Sequence, residues 1–278
     1  MTSALYRGLF DDAALFPPGN APMGEALPAH RAHRAGARAP YVGPFLVSDG
    51  RIAELRAVLA REEGDHGPLD VVVTVPGGSD DLAAAIEAIT ADPVLRLVGV
   101  EVAAPPDRAG DTAVALAATL PRGVGGHVEI ARGERAASDI ASLVGTGAHA
   151  KFRTGGVRAE AHPSEAELAA LLATAVNAGL PFKCTAGLHH AVRHTTPEGF
   201  EQHGFLNVLL ATRLLLDGEG RKEAAATLAD RDGRALAARA AALTETEIAD
   251  VRSRFRSFGT CSVTEPLEDL VVLGALTL

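Results

Sequence analysis

Four successive apolar runs each enclose a side chain that could do chemistry. RLVGVEV holds Glu101, GHVEI holds Glu129, HAKFRTGG holds Lys151 and PFKCTAG holds Lys183. His127 and Arg153 lie two positions from Glu129 and Lys151. The chain has 26 basic residues, yet only Lys151, Lys183 and Lys222 are lysines. Arg makes the better fixed ion pair because its fork is planar and pre-organised, whereas a Lys amine can lose its proton when desolvated or set beside another cation. A neutral amine attacks a carbonyl to form a Schiff base. The expectation is one pocket in which two carboxylates face two ammonium groups, Lys183 lowers the pKa of Lys151, and Glu129 or Glu101 moves a proton. The plainer reading is that the four are internal ion pairs that fill an interior.

The histidines open a different class. GLHHAVRH places His189, His190 and His194 together, the last two four residues apart. With Glu101, Glu129, Asp11 and Asp12 they could bind a divalent metal for hydrolase or lyase chemistry. They could equally bind substrate or transfer protons. No H-E-x-x-H motif is present, so the spacing assigns no metal and no cofactor. Asp11 and Asp12, in LFDDAALFPPGN, read equally as acid/base groups and as turn formers before a Pro-Pro pair. His30 and His33 are expected in solvent on a surface helix. Cys184 follows Lys183 and points away from the pocket by strand alternation, while Cys261 could line it. A third class is a non-catalytic barrel in which the two lysines are counter-charges for a small anion.

Short β-rich runs alternate with Ala/Leu/Glu-rich segments of helical spacing, and this alternation implies parallel strand pairing. Expected strands cover 9–16, 41–48, 69–75, 95–102, 126–130, 149–153 and 181–185, with an eighth near 258–263. Ser164 and Glu167 form a capping-box pattern before a helix that ends at Gly179. Eight strands give a (β/α)8 TIM-like barrel, whose functional end is the C-terminal one. An open doubly wound sheet is less favoured because no Gly-rich dinucleotide fingerprint follows the first strand. The 278 residues, 47% hydrophobic and 22% charged, suit one barrel domain over 1–278 with a helical insertion at about 217–250. That insertion could pack on its own barrel or on a second subunit of a homo-oligomer. A net charge of −9 argues against nucleic acid and membrane surfaces as partners. No run approaches a membrane span, no signal-peptide pattern opens the chain, and two cysteines make no disulfide framework, so a cytoplasmic protein is expected.

KFRTGG on the sixth expected strand and FKCTAG on the seventh resemble the two lysine strands of class I aldolases of the deoxyribose-phosphate aldolase type. There a K-x-x-T-G strand carries the Schiff-base lysine, and the next strand carries a second lysine followed by small residues and Gly. HVEI is similar to the fifth strand of that family, with Glu129 at its acidic position, and FGTCSVTEPLEDL to its closing phosphate-binding turn and helix. The resemblance implies a lyase that forms or cleaves a carbon–carbon bond of a small carbonyl or anionic substrate. Lys151 would form the imine, with Lys183, Glu129 and Glu101 as catalytic partners. Arg153, Thr154, Gly155, Gly156, Thr185, Gly187, Gly259 and Ser262 would hold the substrate, joined by His189, His190, His194, Asp11 and Asp12. This chain reads AGLHH where the family has a double-glycine turn.

Overall fold

The computed structural model describes residues 3–64 and 66–278. Seven parallel strands follow one another around a barrel: β1 (Phe10–Asp12), β2 (Val42–Ser48), β3 (Leu69–Val75), β4 (Leu95–Ala103), β5 (Gly125–Glu129), β6 (His149–Arg153) and β7 (Phe182–Thr185). A short antiparallel hairpin, β8 (His194–Thr195) with β9 (Glu201–Gln202), precedes the last barrel strand, β10 (Phe255–Thr260). β10 pairs with both β7 and β1, which closes the barrel. The fold is therefore a closed eight-stranded parallel α/β barrel of the TIM-like type.

Helices cover the outside. They are α1 (Ser3–Tyr6), α2 (Met23–Ala35), α3 (Ile52–Leu59), α4 (Leu82–Thr90), α5 (Ala109–Thr119), α6 (Ala136–Ser142), α7 (Glu165–Asn177), α8 (Phe205–Leu216), α9 (Arg221–Ala229), α10 (Gly233–Ala241), α11 (Glu245–Arg254) and α12 (Thr264–Val272). Ser164 and Glu167 make the reciprocal capping box that starts α7, and Thr244 with Glu247 does the same for α11. The aliphatic side chains of strands such as LDVVVTV alternate between helix-facing and interior positions. Inside the barrel Ala13, Leu46 and Val72 form their own small apolar cluster.

Two strands differ from the expected ones by more than a residue. The first strand stops at Asp12, because the Asp12 carboxylate accepts from the Ala14 amide at 3.1 Å and turns the chain. The last strand begins at Phe255 and ends at Thr260, where the Thr260 hydroxyl donates to the Ser262 carbonyl at 2.8 Å. The insertion holds α9 and α10 and runs into α11. α9 packs on α7 and α8, and α10 and α11 pack on α8, so it covers its own barrel. Among the described residues no helix is long and apolar enough to cross a membrane.

Candidate active site

Parallel register brings the four ionisable residues together. Glu129 lies opposite Lys151, and Lys151 opposite Lys183, on β5, β6 and β7. Residues in one register row of a barrel point the same way, here inward, while Cys184, the residue after Lys183, belongs to the next row and is fully buried. Lys151 Nζ lies 2.7 Å from Glu101 Oε2 and 2.9 Å from Glu129 Oε2. Lys183 Nζ donates to Asp11 Oδ2 at 2.6 Å and also pairs with Glu101 Oε1. Arg153 Nε donates to Glu129 Oε1 at 3.1 Å. The result is a line of alternating charge, Asp11, Lys183, Glu101, Lys151, Glu129, Arg153, with three anions and three cations. Ser257 also donates to Asp11 Oδ2 at 2.7 Å.

Burial favours the neutral form of Asp11, Lys183, Glu101, Lys151 and Glu129, and the partners outweigh it for the last four. Glu101 is held well below the ordinary carboxylate range by Lys151 and then Lys183. Glu129 is lowered by Lys151 and Arg153. Both ammonium groups are held above the ordinary lysine value, Lys151 by Glu101 and Glu129, Lys183 by Asp11 and Glu101. For Asp11 burial prevails and its carboxyl moves up against the pull of Lys183. His127 is driven down to about 3 by burial and then by Lys183, so it is a neutral imidazole beneath the line of charge.

This corrects the expected role of Lys183. The Lys151 amine beside it is raised, not lowered, because Glu101 and Glu129 outweigh burial, and the Lys183 charge is itself paired with Asp11 and Glu101. Lys183 also stands outside the cavity, only 1% exposed, whereas Lys151 reaches the wall. Lys222, the third lysine, is exposed on α9.

The cavity opens at the C-terminal ends of the strands and encloses about 390 Å³. Glu101, Lys151, Glu129, Arg153, Thr185, Gly259 and His189 line it, as does Cys261. His189 Nδ1 lies 3.5 Å from the Cys261 sulfur and 3.3 Å from Glu265 Oε2. Burial lowers the His189 pKa against the pull of Glu265, and burial raises the Cys261 thiol to about 11. Both are therefore neutral at pH 7.

The other expected contacts lie elsewhere. Asp12 turns to the outer layer and meets buried His30 Nδ1 at 3.0 Å, so His30 is not in solvent; His33 is half-buried. The Thr154 hydroxyl donates to the Thr185 carbonyl at 3.2 Å and to the Ala186 carbonyl, tying two loops together. Gly155 and Gly187 pack backbone to backbone: a Cβ on Gly155 would lie 2.8 Å from the Gly187 Cα. They are loop contacts rather than ligand donors, and neither lines the cavity. Gly156 does line it. Ser262 accepts from the Glu265 amide at 3.3 Å and starts α12. His190 meets Asp269 at 3.1 Å and packs edge-on against His194 at 4.4 Å, and neither lines the cavity. Among the described residues no group of three or more His, Cys, Asp or Glu side chains converges as a metal-binding set.

Sequence reasoning missed the opposite wall: Phe16, Pro17, Leu46, Val75, Pro76 and Ala103, with Ser48 and Thr74 between. Their signal was position alone, at or just past the ends of the first four strands. Ala186, also on the wall, holds φ +57 without being glycine, a conformation that commonly marks functional loops. No protein-family model matches the chain, and no curated protein matches it.

Proposed function

We propose that this chain is an imine-forming lyase of the class I aldolase kind, acting on a small carbonyl compound through Lys151. The observation that supports it is the placement of one amine on the cavity wall between two carboxylates, with Glu129 itself open to the same space. An amine needs an acceptor for its proton before it can attack, and Glu129 at 2.9 Å is within reach.

The steps balance as follows. Lys151 passes a proton to Glu129, and its lone pair forms a bond to the carbonyl carbon. Glu129 returns the proton to the resulting hydroxyl, which leaves as water, and the nitrogen retains a proton in the iminium. The iminium draws the electron pair of the neighbouring carbon–carbon bond as it breaks. A carboxylate takes the proton of the β-hydroxyl, which becomes the carbonyl of the departing aldehyde. The enamine that remains is protonated on carbon, and water then releases the second product and restores the amine.

In this reading Lys183 is a positioning residue that neutralises and fixes Glu101 from below. The test is borohydride reduction with a panel of small aldehydes and ketones, followed by intact mass and peptide mapping. A stable adduct at Lys151, lost in Lys151→Arg, is expected; the reading fails when no carbonyl in the panel marks Lys151.

A further inference from the structure

Lys151 and Arg153 leave β6 two residues apart and point to the same side. They hold the two oxygens of one carboxylate, Lys151 Nζ at 2.9 Å from Glu129 Oε2 and Arg153 Nε at 3.1 Å from Oε1. The two cations are therefore separated by the width of a carboxylate. Nε is the only Arg153 nitrogen engaged among the described residues, and the side chain is 47% exposed on the cavity wall. Its two terminal nitrogens form a planar fork suited to a second carboxylate.

The place where a phosphate would be expected is already filled. At the start of α12 the Ser262 hydroxyl accepts the Glu265 amide, and the Glu265 carboxylate stands beside His189. A doubly charged phosphate there would meet a fixed negative charge. Across the cavity the side chains of Phe16, Leu46, Val75 and Ala103 offer no hydrogen-bond donor, and only the Ser48 and Thr74 hydroxyls stand between them.

We infer that the substrate is an unphosphorylated 2-oxo acid with an apolar tail, its carboxylate on the Arg153 fork, its carbonyl at Lys151 and its tail against the β1–β4 wall. Such a compound bonds its carbonyl carbon directly to its carboxylate, and the two cations that would hold these groups leave β6 two residues apart and line the same cavity. The inference rests on the reading of Lys151 as the carbonyl-binding residue.

The experiment is titration calorimetry with 2-hydroxyhexanoate, which cannot form an imine, against lactate, hexan-2-ol and glycerol 3-phosphate. 2-Hydroxyhexanoate should bind tightest, gaining roughly fourfold over lactate for each methylene buried. Arg153→Gln, at an exposed position, should weaken it at least tenfold while leaving hexan-2-ol unchanged. Tightest binding of glycerol 3-phosphate, equal binding of 2-hydroxyhexanoate and lactate, or an undiminished hydroxy acid in Arg153→Gln overturns the inference. Borohydride trapping of a simple ketone at Lys151 without hydroxy-acid binding would overturn it and spare the imine reading. Arg153-dependent binding without any adduct at Lys151 would overturn the imine reading, and with it the placing of the carbonyl, and leave only a carboxylate site on Arg153.

Discussion

Lys151 and Lys183, register neighbours on adjacent strands, share one carboxylate: Glu101 gives Oε2 to the first at 2.7 Å and Oε1 to the second. Glu101 is 1% exposed, so deleting its charge strands two buried cations. Glu101→Gln is expected to lose about 3–5 kcal/mol of stability, the usual cost of breaking a buried pair. Glu129→Gln, with a side chain 22% exposed, should lose less. Urea denaturation of the two variants tests the order.

Lys183 serves two carboxylates and no solvent. Lys183→Met leaves an excess negative charge inside the barrel, and removing Asp11 at the same time restores the balance. The double variant Lys183→Met with Asp11→Asn should therefore be more stable than Lys183→Met alone, by at least about 1 kcal/mol of coupling. A double-mutant cycle on denaturation free energies measures this, and additive losses would contradict the alternating line of charge.

The amine of Lys151 is held above its ordinary value, so the neutral fraction grows as pH rises. Borohydride-trapped adduct at Lys151 should form faster with each step from pH 6 to pH 9, near tenfold per unit. Glu129 is one of the groups that raise the Lys151 pKa, so Glu129→Gln should move this profile to lower pH while slowing the step at its plateau. A flat profile in the wild type would show that the ammonium is not what limits attack.

Stability should fall at both ends of the pH scale. Glu101 and Glu129 are depressed below their unfolded value of 4.5, so their contribution is present above that pH and lost as pH falls through their folded values. The raised Asp11 opposes this slope over its own range. Lys151 and Lys183 are raised above 10.5, so their contribution is full below that pH and lost as pH climbs through the folded values. Melting temperatures from pH 3 to pH 12 should show a plateau between these limits.

Gly187 combines φ +80 with a site where a Cβ would lie 2.9 Å from the Gly155 Cα and the Thr154 carbonyl oxygen. Gly187→Ala should cost about 1–3 kcal/mol and disturb both loops. Gly145→Ala is the control, since Gly145 has φ +79 and open space around it. The Gly145 variant should lose clearly less in the same denaturation assay.

The barrel was legible because its runs are long and periodic: LDVVVTV and HAKFR form strands over the expected residues. The inward line of charge was legible because parallel register preserves i, i+2 spacing, which puts Glu129, Lys151 and Lys183 in one row. Who pairs with whom was not, since Asp11 reaches Lys183 across 172 positions of chain. The glycines after β6 and β7 read as ligand donors in one dimension, and only the close approach of Gly155 to Gly187 shows their packing role. His30 looked like a surface residue for the same reason: its partner, Asp12, is a strand residue beneath the helix.

The cavity also divides the chain in two. Most of its apolar wall, Phe16, Leu46, Val75 and Ala103 among it, comes from residues before position 104, and its charged groups Glu101, Glu129, Lys151 and Arg153 come from β4 to β6. Substitutions at Leu46, Val75 or Ala103 would thus change the shape of the space without unpairing any ion. A designer could recut the mould at these three positions and leave the line of charge in place, which makes them the natural library for altering the shape of the space.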